Sequence, residues 1–301
     1  MNTPPSPFGA DSVLAAMLRQ EEAYLSDDYL YQQNELPQSV ISGPLHTIEQ
    51  DRAKMVGWQY QVADFCRFNR ETVAISTSYF DRFLAKDSAT EALANTDLFQ
   101  LAAMTCFYTA AKIHEPESFE PWMLSKMSRG LYSAQQVEKM ESVILKAVEW
   151  RMNPPTPLAF VRELLELLPE SYLSEEMRPA VYDLCKFQTE LCVRIYEFVP
   201  IKASTIAMAA LLNALESLGV DYSALGFIEA FLARSIKDAG MMLDVREDIQ
   251  NRLYQAVTEF SGIHTEAATS STAYPAKQTL CKRSSPQTSP CTVYTTATTV
   301  Q

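Results

Sequence analysis

The side chains able to do chemistry are few and scattered. Three histidines, His46, His114 and His264, lie far apart, with no Cys or carboxylate at metal-ligand spacing. Six cysteines form no Cys-x-x-Cys pair. They read as small buried hydrophobes or, for Cys281 and Cys291, as free thiols. No metal and no cofactor is therefore expected. His114 and Glu115, near a helix end, are the one candidate acid/base pair, and no nucleophile or Gly-rich loop accompanies them. Neither the Rossmann nor the P-loop glycine signature occurs, which argues against both enzyme classes.

Four charged residues stand out because their surroundings are apolar. Arg52 precedes Met55 and Trp58. Asp81 lies within Tyr79-Phe80-Asp81-Arg82-Phe83-Leu84, where a carboxylate needs a partner. Glu141 has Val137, Met140, Ile144 and Leu145 as its i−4, i−1, i+3 and i+4 neighbours, so it interrupts an apolar stripe or forms its solvated edge. Lys112 closes an Ala-rich helix, where a lysine also complements the helix dipole.

The elements that must position these residues are helices. The chain has 301 residues, room for about two domains. It holds 8 Gly and 16 Pro, below the roughly 12% usual for the two together. Chains poor in turn formers favour helices over sheets of short strands. The net charge of −12 argues against nucleic-acid binding driven by phosphate neutralisation. No basic, apolar leader opens the sequence, and no apolar run reaches the ~18 residues of a membrane span. An intracellular protein, nuclear or cytoplasmic, with no membrane partner is expected.

Helix punctuation is explicit. Asp11 can cap a first helix. Thr47 with Gln50 makes a capping box for a second, whose apolar face is Met55, Trp58, Val62 and Phe65. Asn69 caps a third, and Asn95 or Thr96 starts an Ala-rich one ending near Lys112. Ser133 with Gln136 opens a helix expected to run through Trp150. After Asn153-Pro154-Pro155, Thr156 is an N-cap and Pro157 takes the first helical position. Five more helices follow, the third again Ala-rich and the last opened by Asp244 and Glu247. The order repeats, which points to two tandem five-helix bundles. The expected parts are an N-terminal segment with one helix (1–45), two bundles (46–153 and 154–261) and a disordered Ser/Thr-rich tail (262–301).

Several segments now resemble one family. Arg52-Ala53-Lys54-Met55-Val56-Gly57-Trp58, Arg70-Glu71-Thr72 and the Tyr79–Leu84 segment resemble the first cyclin box. Ala110-Ala111-Lys112-Ile113-His114-Glu115 is similar to the family's lysine-bearing segment, and Met140–Lys146 to its glutamate-bearing helix. Gln20-Glu21-Glu22-Ala23-Tyr24-Leu25 is similar to the leader of D-type cyclins. The resemblance covers about residues 15–261 and implies an all-α fold of two tandem cyclin boxes.

It also implies a function: a cell-cycle regulatory subunit, not itself an enzyme, that binds and allosterically activates a cyclin-dependent protein kinase. The family's kinase-gripping lysine and glutamate fall on Lys112 and Glu141, and Ile113, Leu145, Trp150 and Met152 match apolar contact positions. Glu141 is then expected to be unpaired in the free subunit. The family's pairing of a box arginine with the aspartate of the next helix falls on Arg52 and Asp81, a structural role. Its docking patch for kinase substrates or inhibitors falls on Asp51, Met55 and Trp58, where Asp51 departs from the apolar pattern. Ser285 and Ser289, each followed by Pro, are phosphorylation candidates in the tail.

Three alternatives stand beside this. A transcription-associated cyclin, whose kinase acts on RNA polymerase, fits the D-like leader less well. A promoter-binding factor of two cyclin-like repeats needs a basic face and usually a zinc ribbon, and both are missing. An enzyme of unknown type has no site to point to. No Leu-x-Cys-x-Glu motif occurs, and the Arg162–Leu165 match to a destruction box falls in an expected helix, against a mitotic type.

Overall fold

The computed structural model describes residues 10–30, 45–117, 119–238 and 247–269. Among these residues it is built from helices, without strands. A first helix, α1 (Ala10–Glu21), precedes α2 (Leu45–Cys66), α3 (Glu71–Leu84), short α4 (Thr90–Ala94), α5 (Thr96–His114), α6 (Pro121–Met127) and α7 (Ala134–Ala147). A second set follows: α8 (Pro157–Leu167), α9 (Arg178–Arg194), α10 (Ala203–Ser217), α11 (Tyr222–Asp238) and α12 (Glu247–Thr269). No helix among the described residues is long and apolar enough to cross a membrane.

Each set is organised around its Ala-rich helix. Helix α5 buries Ala102, Ala103, Ala110 and Ala111 against α2, α3, α4, α6 and α7. Helix α10 buries Ala207, Ala209, Ala210 and Ala214 against α8, α9, α11 and α12. A helix that is apolar all round is stable only when covered on all sides, and small side chains let several neighbours approach at once. Two separate apolar cores result, one centred on α5 and one on α10.

The N-terminal segment ties the two cores together. Leu14 and Leu18 of α1 belong to the core around α10, whereas Tyr29 and Leu30 belong to the core around α5. Between them, the Glu21 carboxylate accepts from the Ser204 N–H (3.0 Å) and hydroxyl (2.7 Å) at the start of α10. The Gln20 amide donates to the Asn153 carbonyl at 2.9 Å, in the connection between the sets.

Side-chain caps mark several of the helix starts. Ser133 and Gln136 form a reciprocal capping box on α7, and Thr156 caps α8 with Pro157 at its first position. Asn95 caps α5, and the Asn69 side chain accepts from the Glu71 N–H at 3.0 Å. Two starts differ from expectation. Helix α1 already includes Asp11, and α2 is helical from Leu45, so Thr47 sits inside its first turn instead of capping it. Helix α12 begins at Glu247, while Asp244 lies outside the described residues.

The largest correction is the end of α7. The helix stops at Ala147, and Glu149 (φ 56°) and Trp150 (φ 58°) adopt left-handed backbone. The Trp150 N–H reaches back to the Leu145 carbonyl at 3.0 Å, closing the helix with a six-to-one bond. Trp150 is thereby turned out of the helix that the apolar pattern had assigned it to.

Candidate functional site

The last turn of α5 packs against the middle of α7. Lys112, in the last turn of α5, donates from Nζ to both carboxylate oxygens of Glu141, each at 3.2 Å. The Thr109 hydroxyl also donates to Glu141 at 3.3 Å. The Lys112 side chain is 50% exposed and that of Glu141 13%. Burial pulls the Lys112 ammonium down, and hydrogen bonding to Glu141 more than reverses this, so it stays charged above its ordinary range. The expectation that Glu141 is unpaired is thus corrected. Its partner is 29 residues away, one helix over, at a distance that spacing along one helix cannot reveal.

Apolar side chains flank this pair. Ile113 is exposed and Trp150 is 68% exposed, while Leu145 and Met152 are half-buried. Free tryptophan surface of this kind is unusual and marks contact sites more often than scaffold. The segment carrying Trp150 is fixed from below. The Met152 carbonyl accepts from the Tyr79 hydroxyl and lies 3.0 Å from His114 Nε2. The Arg151 carbonyl accepts from Arg82 Nη2 at 2.7 Å. Tyr79, Arg82 and His114 were not legible as supports of this loop, because their acceptors are main-chain carbonyls at least 38 residues distant.

These bonds also settle the candidate acid/base pair. His114 meets the Tyr79 hydroxyl at 3.0 Å and the Met152 carbonyl. Glu115 instead accepts from the Asn69 N–H at 3.0 Å and from the Thr72 hydroxyl. The two neighbours face different partners and do not form a couple. Among the described residues, no three His, Cys, Asp or Glu side chains converge as a metal site.

The docking-patch residues lie elsewhere, on α2, and require a correction. Met55 is 2% and Trp58 6% exposed, with the Trp58 ring edge-on to Phe107 at 6.1 Å. Asp51 pairs with Lys54 at 2.9 Å and borders a small cavity with Ile48, Leu93 and Phe99. Met55, Trp58 and Val62 point into the core while Phe65, also expected on this apolar face, is exposed, so Met55 and Trp58 offer no open apolar wall for a peptide. Arg52, on the same helix, is buried and bonds Asp81 of α3 at 2.8 and 2.7 Å. Ser285 and Ser289, and the His46 and His264 side chains, lie outside the described residues.

Comparison with known proteins bears on all of this. A family model described as "Cyclin, N-terminal domain" matches residues 12–153, and one described as "Cyclin, C-terminal domain" matches residues 155–228. Cyclin-A3-3 of Arabidopsis thaliana is 28% identical over 64% of this chain and 59% of its own. Cyclin-D3-3 of Arabidopsis thaliana is 31% identical over 38% of this chain and 31% of its own. G2/mitotic-specific cyclin-B2 of Rana japonica is 29% identical over 65% of this chain and 48% of its own. The chain thus spans roughly a third to three-fifths of the length of these relatives, which include A, B and D types.

Proposed function

This chain belongs to the cyclin family, and from that premise we propose that it is a regulatory subunit, without catalytic activity of its own, that binds and activates a cyclin-dependent protein kinase in cell-cycle control. The observation that carries the proposal is the Lys112–Glu141 pair, joining the last turn of α5 to the middle of α7, with exposed Ile113 next to Lys112 and exposed Trp150 just past the end of α7. Exposed aromatic and aliphatic side chains supply the anchors of a protein contact, and a charge pair among them supplies specificity and register.

An ammonium has three donors and a carboxylate about four acceptor sites. Lys112 and Glu141 therefore hold each other and keep capacity for a partner. In the proposed mechanism they grip the start of the kinase C helix and the loop beside it. Ile113, Leu145, Trp150 and Met152 cover the apolar ground around them. Docking pushes the C helix inward, completes the kinase's own Lys–Glu ion pair and frees the activation loop. The cell-cycle assignment, D-like or divergent, rests on the leader residues Gln20, Glu21 and Glu22. The first two secure the N-terminal segment, and Glu22 pairs with Lys202 at 2.5 Å.

Affinity purification of the chain from dividing cells, followed by identification of the co-purifying kinase, tests the proposal. Recovery of a cyclin-dependent kinase, lost on Trp150→Ala, supports it. Recovery of a kinase that acts on RNA polymerase moves the chain to the transcription-associated branch, and recovery of no kinase refutes the proposal.

A further inference from the structure

Arg82 supports the Trp150 loop, but that role needs a hydrogen-bond donor and does not explain a buried charge. It adjoins Asp81 in sequence, but Asp81 is committed to Arg52. Arg82 is only 6% exposed, lying over the Tyr24 ring at 4.8 Å and near the Tyr79 ring at 5.8 Å. Its Nε donates to the Ser78 carbonyl at 3.3 Å and its Nη2 to the Arg151 carbonyl at 2.7 Å. Among the described residues no Asp or Glu reaches it. Arginines buried this deeply ordinarily meet a carboxylate or phosphate. Burial accordingly pulls this guanidinium below the usual arginine range. Among the described residues no acceptor is bonded to its Nη1.

Arg82 borders a cavity of about 110 Å³, whose wall also carries Ser26, Asp27, Lys86, Glu149 and Arg151. One water needs roughly 10–15 Å³ measured this way, so the cavity holds several waters or one tetrahedral anion. Three cations face two carboxylates. Glu149 stands between two of the cations, 3.8 Å from Lys86 and 3.2 Å from Arg151, and all three of these side chains are about half exposed. Such exposed pairs hold weakly and release at little cost.

We propose that this pocket is a phosphate-binding site, with Arg82, Lys86 and Arg151 as donors and the Glu149 carboxylate as the anion that phosphate displaces. A phosphate group carries about −1.5 to −2 charge and three strong acceptor oxygens, against a single charge on Glu149. A guanidinium fork matches its geometry. Binding here involves neither Lys112 nor Glu141, so it stands or falls independently of kinase docking.

Isothermal calorimetry on the full chain tests the site directly. The probes are inorganic phosphate, an alanine pentapeptide with one central phosphoserine, and its serine counterpart, all at fixed ionic strength. Saturable one-to-one phosphate binding is expected. It weakens about tenfold for Arg151→Ala or Lys86→Ala, the loss of one hydrogen bond to a charged group. It strengthens for Glu149→Gln and is unchanged for Lys54→Ala, a lysine remote from the pocket. Tighter binding of the phosphopeptide than of free phosphate assigns the site to a phosphorylated protein side chain. Equal or weaker binding of the phosphopeptide assigns it to free phosphate. Arg82 stays intact in every variant because its removal strips bonds from the core. A thermal melt checks that each variant is folded. A chloride-like, non-saturable response overturns the proposal, as does undiminished binding in the folded Arg151→Ala/Lys86→Ala variant.

Discussion

Arg52 and Asp81 meet through two parallel hydrogen bonds, 2.8 and 2.7 Å, at a point where three parts of the chain converge. Helices α2 and α3 supply the pair. The Tyr29 hydroxyl donates to Asp81 at 3.0 Å from the N-terminal segment, and Arg52 donates its remaining nitrogen to the Val193 carbonyl of α9 at 3.0 Å. The pair is buried, and its residual hydrogen-bonding capacity is used across the junction between the two helix sets.

Arg52→Ala leaves Asp81 as a buried, uncompensated carboxylate. Breaking one side of such a pair costs about 3–5 kcal/mol, whereas an exposed pair is worth about 0–1 kcal/mol. A urea melt of the free chain measures the difference. A midpoint within error of wild type contradicts the structural role.

Trp150→Gly separates stability from binding. A non-glycine residue held in left-handed backbone costs about 1–2 kcal/mol, and glycine, although it loses more entropy on folding, adopts this conformation freely. Trp150 is mostly exposed and contributes little packing. The free chain is expected to become more stable by up to about 1 kcal/mol, while kinase binding weakens by about 2 kcal/mol or more, as for a dominant interface tryptophan. A lower melting temperature in the free chain shows that the ring is part of the scaffold.

Glu21 sets a pH dependence. Burial raises its pKa above 4.5, partly offset by its bonds to Ser204. The folded chain therefore holds this proton more tightly than the unfolded chain does. The stabilisation is full below pH 4.5 and is lost as pH rises through the higher folded-state value. Glu21→Gln removes this titration. The melting temperature of wild type minus that of Glu21→Gln is expected to fall as pH rises from 4.5 towards neutrality. A difference that stays flat over that range shows that Glu21 titrates as an ordinary surface carboxylate.

The architecture was largely legible from local signals. Ser133 with Gln136, Thr156 with Pro157 and the two Ala-rich helices act within a few residues, and each behaves as its chemistry dictates. What was hidden depends on contacts between remote residues. Trp150 leaves α7 with no glycine to announce it, and the following carbonyls are held by Arg82 and Tyr79 from 69 and 73 residues away. Met55 and Trp58 form one apolar face, but periodicity cannot say that the face turns inward. The clamp between the helix sets was missed altogether. There Arg162 of α8 holds Glu71 of α3 at 3.0 and 3.1 Å, and Arg70 holds Glu190 of α9 at 2.8 Å. Each of these residues reads alone as an ordinary surface charge.

The charge-exchanged variant Lys112→Glu/Glu141→Lys gives the most direct test of kinase docking. It keeps an ion pair between α5 and α7, so the free chain should melt as wild type does. It reverses the sign of both groups towards a partner, and each mismatched contact costs roughly 2–5 kcal/mol. The deciding measurement is phosphorylation of a histone-type substrate by the reconstituted complex. Loss of kinase activation with an unchanged melt is the expected result. Full activation by the exchanged variant contradicts the assignment of Lys112 and Glu141 to the kinase contact.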